Sequence, residues 1–328
     1  LRELKFLYKI GFGLLLVFLF TGCEQESKTK VIKLGHGLDM SHPVHKAMVF
    51  MAERVKDKSE GKMQIDIYPN QQLGSERECL ELLQIGSLGM TKVSTGVMEN
   101  FAPELKVFGL PFLFRDREHR FNVLEGEIGE EFLNSSLDKR LKGLTFYDAG
   151  SRSFYTKEPI EIPKDLEGLK IRVMESQTAI NMVKNLGGSP TPIAWGELYT
   201  ALQQGIVDGA ENNLPSFYLS RHYEVCKYFL VDEHTAIPDE LVIGTLVWNK
   251  LSDQEKQWLK EAAMESSEYQ KKLWREAELE ALEKIQEAGV TVIEADKTEF
   301  REKVKPMYEE FEQNPEMKQI IEEIQAVK

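Results

Sequence analysis

The sequence predicts an α/β protein with enough chain for two cores, tied together by one very long helix. Three observations carry that prediction. Strand-period and helix-period segments alternate along the chain, the pattern of βαβ units built on largely parallel sheets. The residues beyond an apolar leader exceed what one core usually fills, about 250–300. Finally, a helical pattern runs from Ser252 to about Ala288 without a breaker. At about 1.5 Å per residue, such a helix can reach from one domain to the other.

The elements follow in order. Val31 to Leu34 reads as a strand, and a helix from Ser41 places Val44, Met48, Met51 and Val55 on one face. Gly61 stops that helix, and Met63, Ile65 and Ile67 alternate as a strand before Pro69. Ser75 with Glu78 forms a capping box that opens a helix over Glu76 to Gln84. After the loop at Gly150, Leu169, Ile171 and Val173 point one way and Lys170 and Arg172 the other. A helix from Gln177 to Leu186 ends at Gly187-Gly188. Next come a helix over Gly196 to Gln204 and a strand from Ile206 to Ala210. Leu241 to Trp248 is a continuous apolar run, the mark of a strand buried on both faces. Gly289 ends the long helix, Val290 to Ile293 forms a last strand, and helices close the chain.

The leader itself carries an address. Arg2, Lys5 and Lys9 precede an apolar run from Ile10 to Phe20, then Thr21-Gly22-Cys23. That run is too short to span a membrane, which takes about 20 apolar residues, and reads as a signal peptide over residues 1–22. Cys directly after Gly resembles a bacterial lipobox, with Phe20 where leucine is preferred. Cys23 is then the expected lipidation site, residues 23–30 a tether, and the protein extracytoplasmic, held on a bacterial membrane.

Composition narrows the partners. A net charge of -13 argues against nucleic acid and broad anionic surfaces, yet leaves room for a local cationic pocket. Cys79 and Cys226 are read as buried thiols. His36, His42 and His45 lie close in sequence without a carboxylate at ligand spacing, so no metal site is expected. Gly35-His36-Gly37 lacks the third glycine of a dinucleotide fingerprint, because Met40 stands there, and no P-loop, nucleophile elbow or zincin helix occurs. No cofactor and no enzymatic activity are expected.

The middle of the chain is more specific. It reads Gly150-Ser151-Arg152-Ser153-Phe154-Tyr155-Thr156, then Pro163-Lys164-Asp165-Leu166-Glu167-Gly168-Leu169-Lys170-Ile171-Arg172-Val173. Further on come Trp195-Gly196-Glu197-Leu198-Tyr199 and Val207-Asp208-Gly209-Ala210-Glu211-Asn212. With Gln72-Leu73-Gly74, Tyr223-Glu224-Val225, His234 and the long helix, this resembles the DctP-like solute-binding proteins of TRAP (tripartite ATP-independent periplasmic) transporters.

The resemblance implies a two-lobed, periplasmic-binding-protein-like fold with the long helix spanning both lobes and a cleft that closes by a hinge. Residues 31–149 and 239–277 are assigned to lobe I, and residues 150–238 and 278–328 to lobe II. It also implies that Arg172 clamps a ligand carboxylate. A guanidinium suits that task, since its planar fork meets a carboxylate bidentately and its charge does not titrate away. Arg152 matches a second arginine of the pattern, Asn212 follows a strand end that lines the cleft, and Trp195 matches an aromatic wall. On the other lobe Glu76, Ser94, His36 and His42 lie in regions that face the ligand, and Glu240 matches a position that can reach the cleft.

The expected ligand is a small organic acid, a hexuronate or related sugar acid, delivered to TRAP permease subunits. Trp195 as a ring platform, the acceptors Glu76 and Glu240, and the run Ala210 to Tyr218, similar to uronate-binding members, favour it. The alternatives are a C4-dicarboxylate or keto-acid receptor and an extracytoplasmic sensor serving a kinase; a secreted lyase is the remaining class. Adjacent permease genes separate transport from sensing, and turnover of bound ligand would mark an enzyme.

Overall fold

A computed structural model of the protein describes residues 29–328. The leader and the lipidation site expected at Cys23 lie outside the described residues. Among the described residues eleven strands form two sheets. The first is five-stranded, in the order β2-β1-β3-β10-β4, from Lys30–Gly35 (β1), Met63–Tyr68 (β2), Met90–Ser94 (β3), Leu141–Tyr147 (β4) and Asp239–Gly244 (β10). The second is six-stranded, in the order β11-β9-β5-β8-β6-β7. Its strands are Arg152–Thr156 (β5), Lys170–Val173 (β6), Ser189–Pro192 (β7), Gly209–Asn212 (β8), Tyr228–Thr235 (β9) and Thr291–Glu294 (β11).

Both sheets are mixed, where largely parallel ones were expected. β10 runs antiparallel to β3 and β4, and β5 runs antiparallel to β8 and β9. The cause is connectivity. Parallel neighbours need a helical crossover within one sheet, whereas β5 and β10 each arrive directly from the other sheet.

Two further expectations shift. The apolar run from Leu241 to Trp248 is not one strand, because β10 ends at Gly244 and Thr245–Trp248 form a helical turn. A Cβ on Gly244 would lie 2.8 Å from the Leu83 carbonyl oxygen, so the helix Glu76–Ile85 is packed directly against the strand end. The strand expected from Ile206 begins later, at Gly209. Ahead of it, Asp208 pairs with the Lys170 backbone through both its main chain and its carboxylate, each at 2.8 Å, while Ile206 is half exposed.

The long helix spans Asp253–Glu287, opened by a Ser252–Glu255 capping box. Leu259, Ala262, Ala263 and Trp274 pack with Met48 and Met51 of the helix Pro43–Lys58 against the first sheet. Ile285 belongs to a different cluster, with Leu202, Phe217 and Phe229 around the second sheet. One element therefore anchors in two cores. Cys79 and Cys226 are free thiols that burial pushes up to about 11 and about 12, so both stay protonated and unreactive at neutral pH.

Candidate functional site

Two short crossings, at residues 148–151 and 236–238, carry the chain between the sheets beside the long helix. A narrow cavity of about 60 Å³ lies between the sheets and draws its walls from both. From the second sheet come Arg152, Arg172, Trp195 and Asn212, and from the first Glu76, Lys92, Ser94 and Asp239. His42, Ser216 and Trp274 also line it.

Arg172 sits on β6 between Ile171 and Val173, whose side chains turn into the core. It is 3% exposed, yet no carboxylate among the described residues pairs with it. Its Nε donates to the Ile193 carbonyl at 2.9 Å and its guanidinium carbon lies 5.7 Å from the Trp195 ring centre. The side chain is thus tethered at Nε and stacked, while neither Nη atom donates to any of the described residues. Burial pulls its pKa below the ordinary arginine value, but an arginine stays charged in a protein. A desolvated cation without a counter-charge is costly, and an anion offered by a ligand would relieve it.

Arg152 is occupied differently. Its Nε and Nη2 meet the Glu211 carboxylate at 2.5 and 2.8 Å, and its Nη1 donates to Asn212 Oδ1 at 3.0 Å. Behind Glu211, His234 stands 3.5 Å away and its Nδ1 bonds Asp232 at 2.8 Å. Burial opposes charge on both, but Arg152 and His234 outweigh it and hold Glu211 down to about 2. Asp232 and Glu211 likewise outweigh burial and raise His234 to about 9. Two cationic and two carboxylate side chains alternate along the row, so it fixes Arg152 in place without adding net formal charge to the cleft. Asn212 is the last residue of β8, and its Oδ1 also accepts from the Asn213 backbone N–H at 2.9 Å and side-chain amide at 3.0 Å. With three donors on that oxygen, only the amide N–H groups remain to meet a ligand, and they suit a carboxylate oxygen.

The first sheet supplies a different chemistry. Lys92 on β3 is 3% exposed and bridges Glu76 at 2.8 Å and Asp239 at 3.0 Å. Burial works against the ammonium, but the two carboxylates prevail and raise Lys92 to about 12. Burial also lifts Asp239, with Lys92 opposing it. One cation between two carboxylates leaves this wall with a formal charge of minus one and several acceptor oxygens. Ser94 caps the turn Thr95–Met98 through Gly96 N–H at 3.4 Å. His42 accepts from Val44 N–H at Nδ1, so its Nε2–H donates across the cleft to Ser216 Oγ at 3.3 Å. Burial, with Lys92 nearby, lowers His42 to about 3, so the ring is neutral.

Two residues expected at the ligand stand elsewhere. His36 is absent from the cavity wall, because its Nδ1 accepts from Leu38 N–H at 3.1 Å and its Nε2 meets His45 at 3.0 Å. Both ring nitrogens are used. Glu240 follows Asp239 on β10, and successive strand residues face opposite ways. Asp239 therefore lines the cleft, while Glu240 turns under Gly143 and Leu133, fully buried with neither oxygen bonded. Burial pushes Glu240 up to about 8, against the nearby Lys142. Its pKa is higher folded than unfolded, so its contribution to stability is full below about pH 4.3 and is lost as pH rises through about 8. Glu240→Gln is expected to flatten the decline of Tm across that window relative to the wild type. Parallel pH–Tm curves for the two proteins would show that Glu240 is not strained.

Sequence reasoning missed Lys92, Asp239, Ser216 and Trp274. A lysine inside the apolar stretch Met90 to Val93 was the available signal for Lys92, since lysine is almost never fully buried unless paired. A larger cavity, about 280 Å³, opens on the outer side of β4. Lys142, Lys260, Glu125 and Glu130 stand among mainly apolar walls there, and none of the residues that line the cleft between the sheets takes part.

Known proteins resemble this chain along most of its length. The pattern of the family described as bacterial extracellular solute-binding protein, family 7 (DctP), matches residues 34–314. A solute-binding protein of Chromohalobacter salexigens is 37% identical over 288 residues, 87% of this chain and 86% of its own. A TRAP periplasmic solute-binding protein of Xanthobacter autotrophicus Py2, solved with β-D-galacturonate bound, is 38% identical with a TM-score of 0.88, covering 90% of this chain and 100% of its own. Another, from Anaerococcus prevotii and solved with D-glucuronate bound, is 37% identical with a TM-score of 0.89, covering 91% and 98%.

Proposed function

This chain belongs to bacterial extracellular solute-binding protein family 7, the DctP family, and from that premise we propose that it is the receptor of a TRAP transporter for a hexuronate. The observation that carries the ligand is the charge layout of the cleft. Arg172 is a buried cation without a carboxylate partner among the described residues, and Asn212 adds an amide donor on the same wall. The facing wall, Glu76–Lys92–Asp239, offers acceptors and a net negative charge. A molecule with one carboxylate and several hydroxyls satisfies both walls. A second carboxylate would meet Glu76 and Asp239, and burying it without a free partner is costly. Trp195, half-buried beside Arg172, gives a sugar ring a flat apolar face. The uronates bound in the related structures support the same choice.

The protein captures its ligand by closure of the two lobes, residues 31–149 with 239–277 and residues 150–238 with 278–328, and passes it to the permease. It acts as a receptor, and His42, the one imidazole of the cleft among the described residues, is engaged at both nitrogens. Cys23 carries a lipid that holds it at a membrane; labelled fatty acid should enter the wild type and not Cys23→Ser, and equal labelling would refute the anchor. Among the described residues no helix is long and apolar enough to cross a membrane.

A thermal-shift screen tests the ligand class. Ligand at 100 times its Kd adds about 2.7 kcal/mol. Glucuronate or galacturonate should raise Tm by several degrees, while succinate and neutral hexoses leave it unchanged. Stabilisation by succinate or malate with no response to any uronate or aldonate would overturn the hexuronate assignment.

A further inference from the structure

A second cavity, about 400 Å³, lies at the hinge. Its walls include all three connections between the sheets: Gly150 and Ser151 from the first crossing, Thr235 and Ala236 from the end of β9 and the start of the second, and Glu278 from the long helix. Few places in the molecule would sense lobe angle so directly.

Five cations and three carboxylates, Asp116, Glu233 and Glu278, line it, a positive balance in a protein of net charge -13. Lys297 is paired with Glu233, Arg117 with Asp148 and Glu278, and Arg120 with Asp148. Arg115 donates through both Nη groups to the Gln325 and Val327 carbonyls, whereas Arg301 has no carboxylate partner among the described residues and stacks 4.2 Å from the centre of the Phe112 ring, itself part of the wall. Two buried donors also stand without a hydrogen bond: the Thr235 hydroxyl, on a residue 3% exposed, and Arg117 Nε. Buried polar atoms are nearly always bonded in native proteins, and here both lie on residues lining one cavity.

We propose that this cavity is a site for a compact oxyanion of the phosphate class, free or as the terminal group of a small metabolite. The hydroxyl of Thr235 and the guanidinium groups of Arg117 and Arg301 would donate to its oxygens, charge-assisted bonds of the stronger kind. Thr235 pairs across the sheet with Arg152, which lines the ligand cleft. An anion bound at the hinge is therefore one strand away from the cleft, in a cavity walled by every connection that must bend when the lobes close.

The test is calorimetric titration of the mature protein, without uronate, by inorganic phosphate and separately by glycerol phosphate, at ionic strength held constant with chloride. Saturable binding of either is expected, and which one binds tells the free ion from the phosphorylated metabolite. Arg301→Gln, on an exposed helix position, and Thr235→Val should each weaken it by about tenfold or more, the worth of a hydrogen bond to a charged group. No saturable binding of either probe to the wild type would overturn the site, as would equal binding by both variants.

Discussion

Arg172→Ala is expected to cut uronate affinity by about 2–5 kcal/mol, or roughly 30-fold to several thousand-fold, the usual cost of removing one partner of a buried charge pair. The folded apoprotein should not suffer in proportion. A structural arginine would be held by carboxylates, and its loss would strand them. Among the described residues Arg172 hydrogen-bonds the Ile193 carbonyl and stacks on Trp195 without a carboxylate partner, so the variant sheds a desolvated cation and forfeits one neutral acceptor's bond. Apo Tm close to wild type together with collapsed binding is the signature of a ligand clamp. Arg172→Lys should also bind at least about tenfold more weakly, because an ammonium can neither fork onto a carboxylate nor stack on Trp195 as a planar group. Unchanged calorimetric affinity in a folded Arg172→Ala protein would remove Arg172 from the site.

The sequence displayed one wall of this cleft better than the other, and the reason is physical. Arg172 and Asn212 stand on short strands flanked by glycines and prolines, in a run whose period and composition leave few alternatives. On the first sheet the decisive fact is a register. Asp239 and Glu240 are chemically alike and adjacent, and a shift of one residue exchanges which of them faces the cleft. Reading Leu241 to Trp248 as one strand hid where β10 begins, because its start depends on pairing with β3 and β4, both distant in sequence. The long helix was legible from its own pattern and capping box. That Trp274 on that helix reaches the cleft was not, since this depends on how two sheets pack around it.

Lys92→Met should produce the second large effect, on the opposite wall. Lys92 is the only cation within salt-bridge reach of Glu76 and Asp239 among the described residues. Removing one member of a buried ion cluster leaves uncompensated charge, a loss of about 3–5 kcal/mol. The variant should melt several degrees lower and bind uronate poorly, because the carboxylates that would accept from hydroxyls would no longer be held in place. The pH dependence separates this cause from simple loss of packing. Burial already raises Asp239 and Lys92 opposes that rise, so without Lys92 the folded-state pKa climbs further above the unfolded value. Stability is then full at low pH and falls as pH rises, and the deficit of Lys92→Met relative to wild type should widen as pH rises above the ordinary aspartate range, about 3.9. Adding Asp239→Asn removes the stranded charge, so the double variant should recover part of the Tm and lose the extra slope. A single variant that melts with the wild type throughout that rise would mean that Lys92 does not hold the acidic wall together.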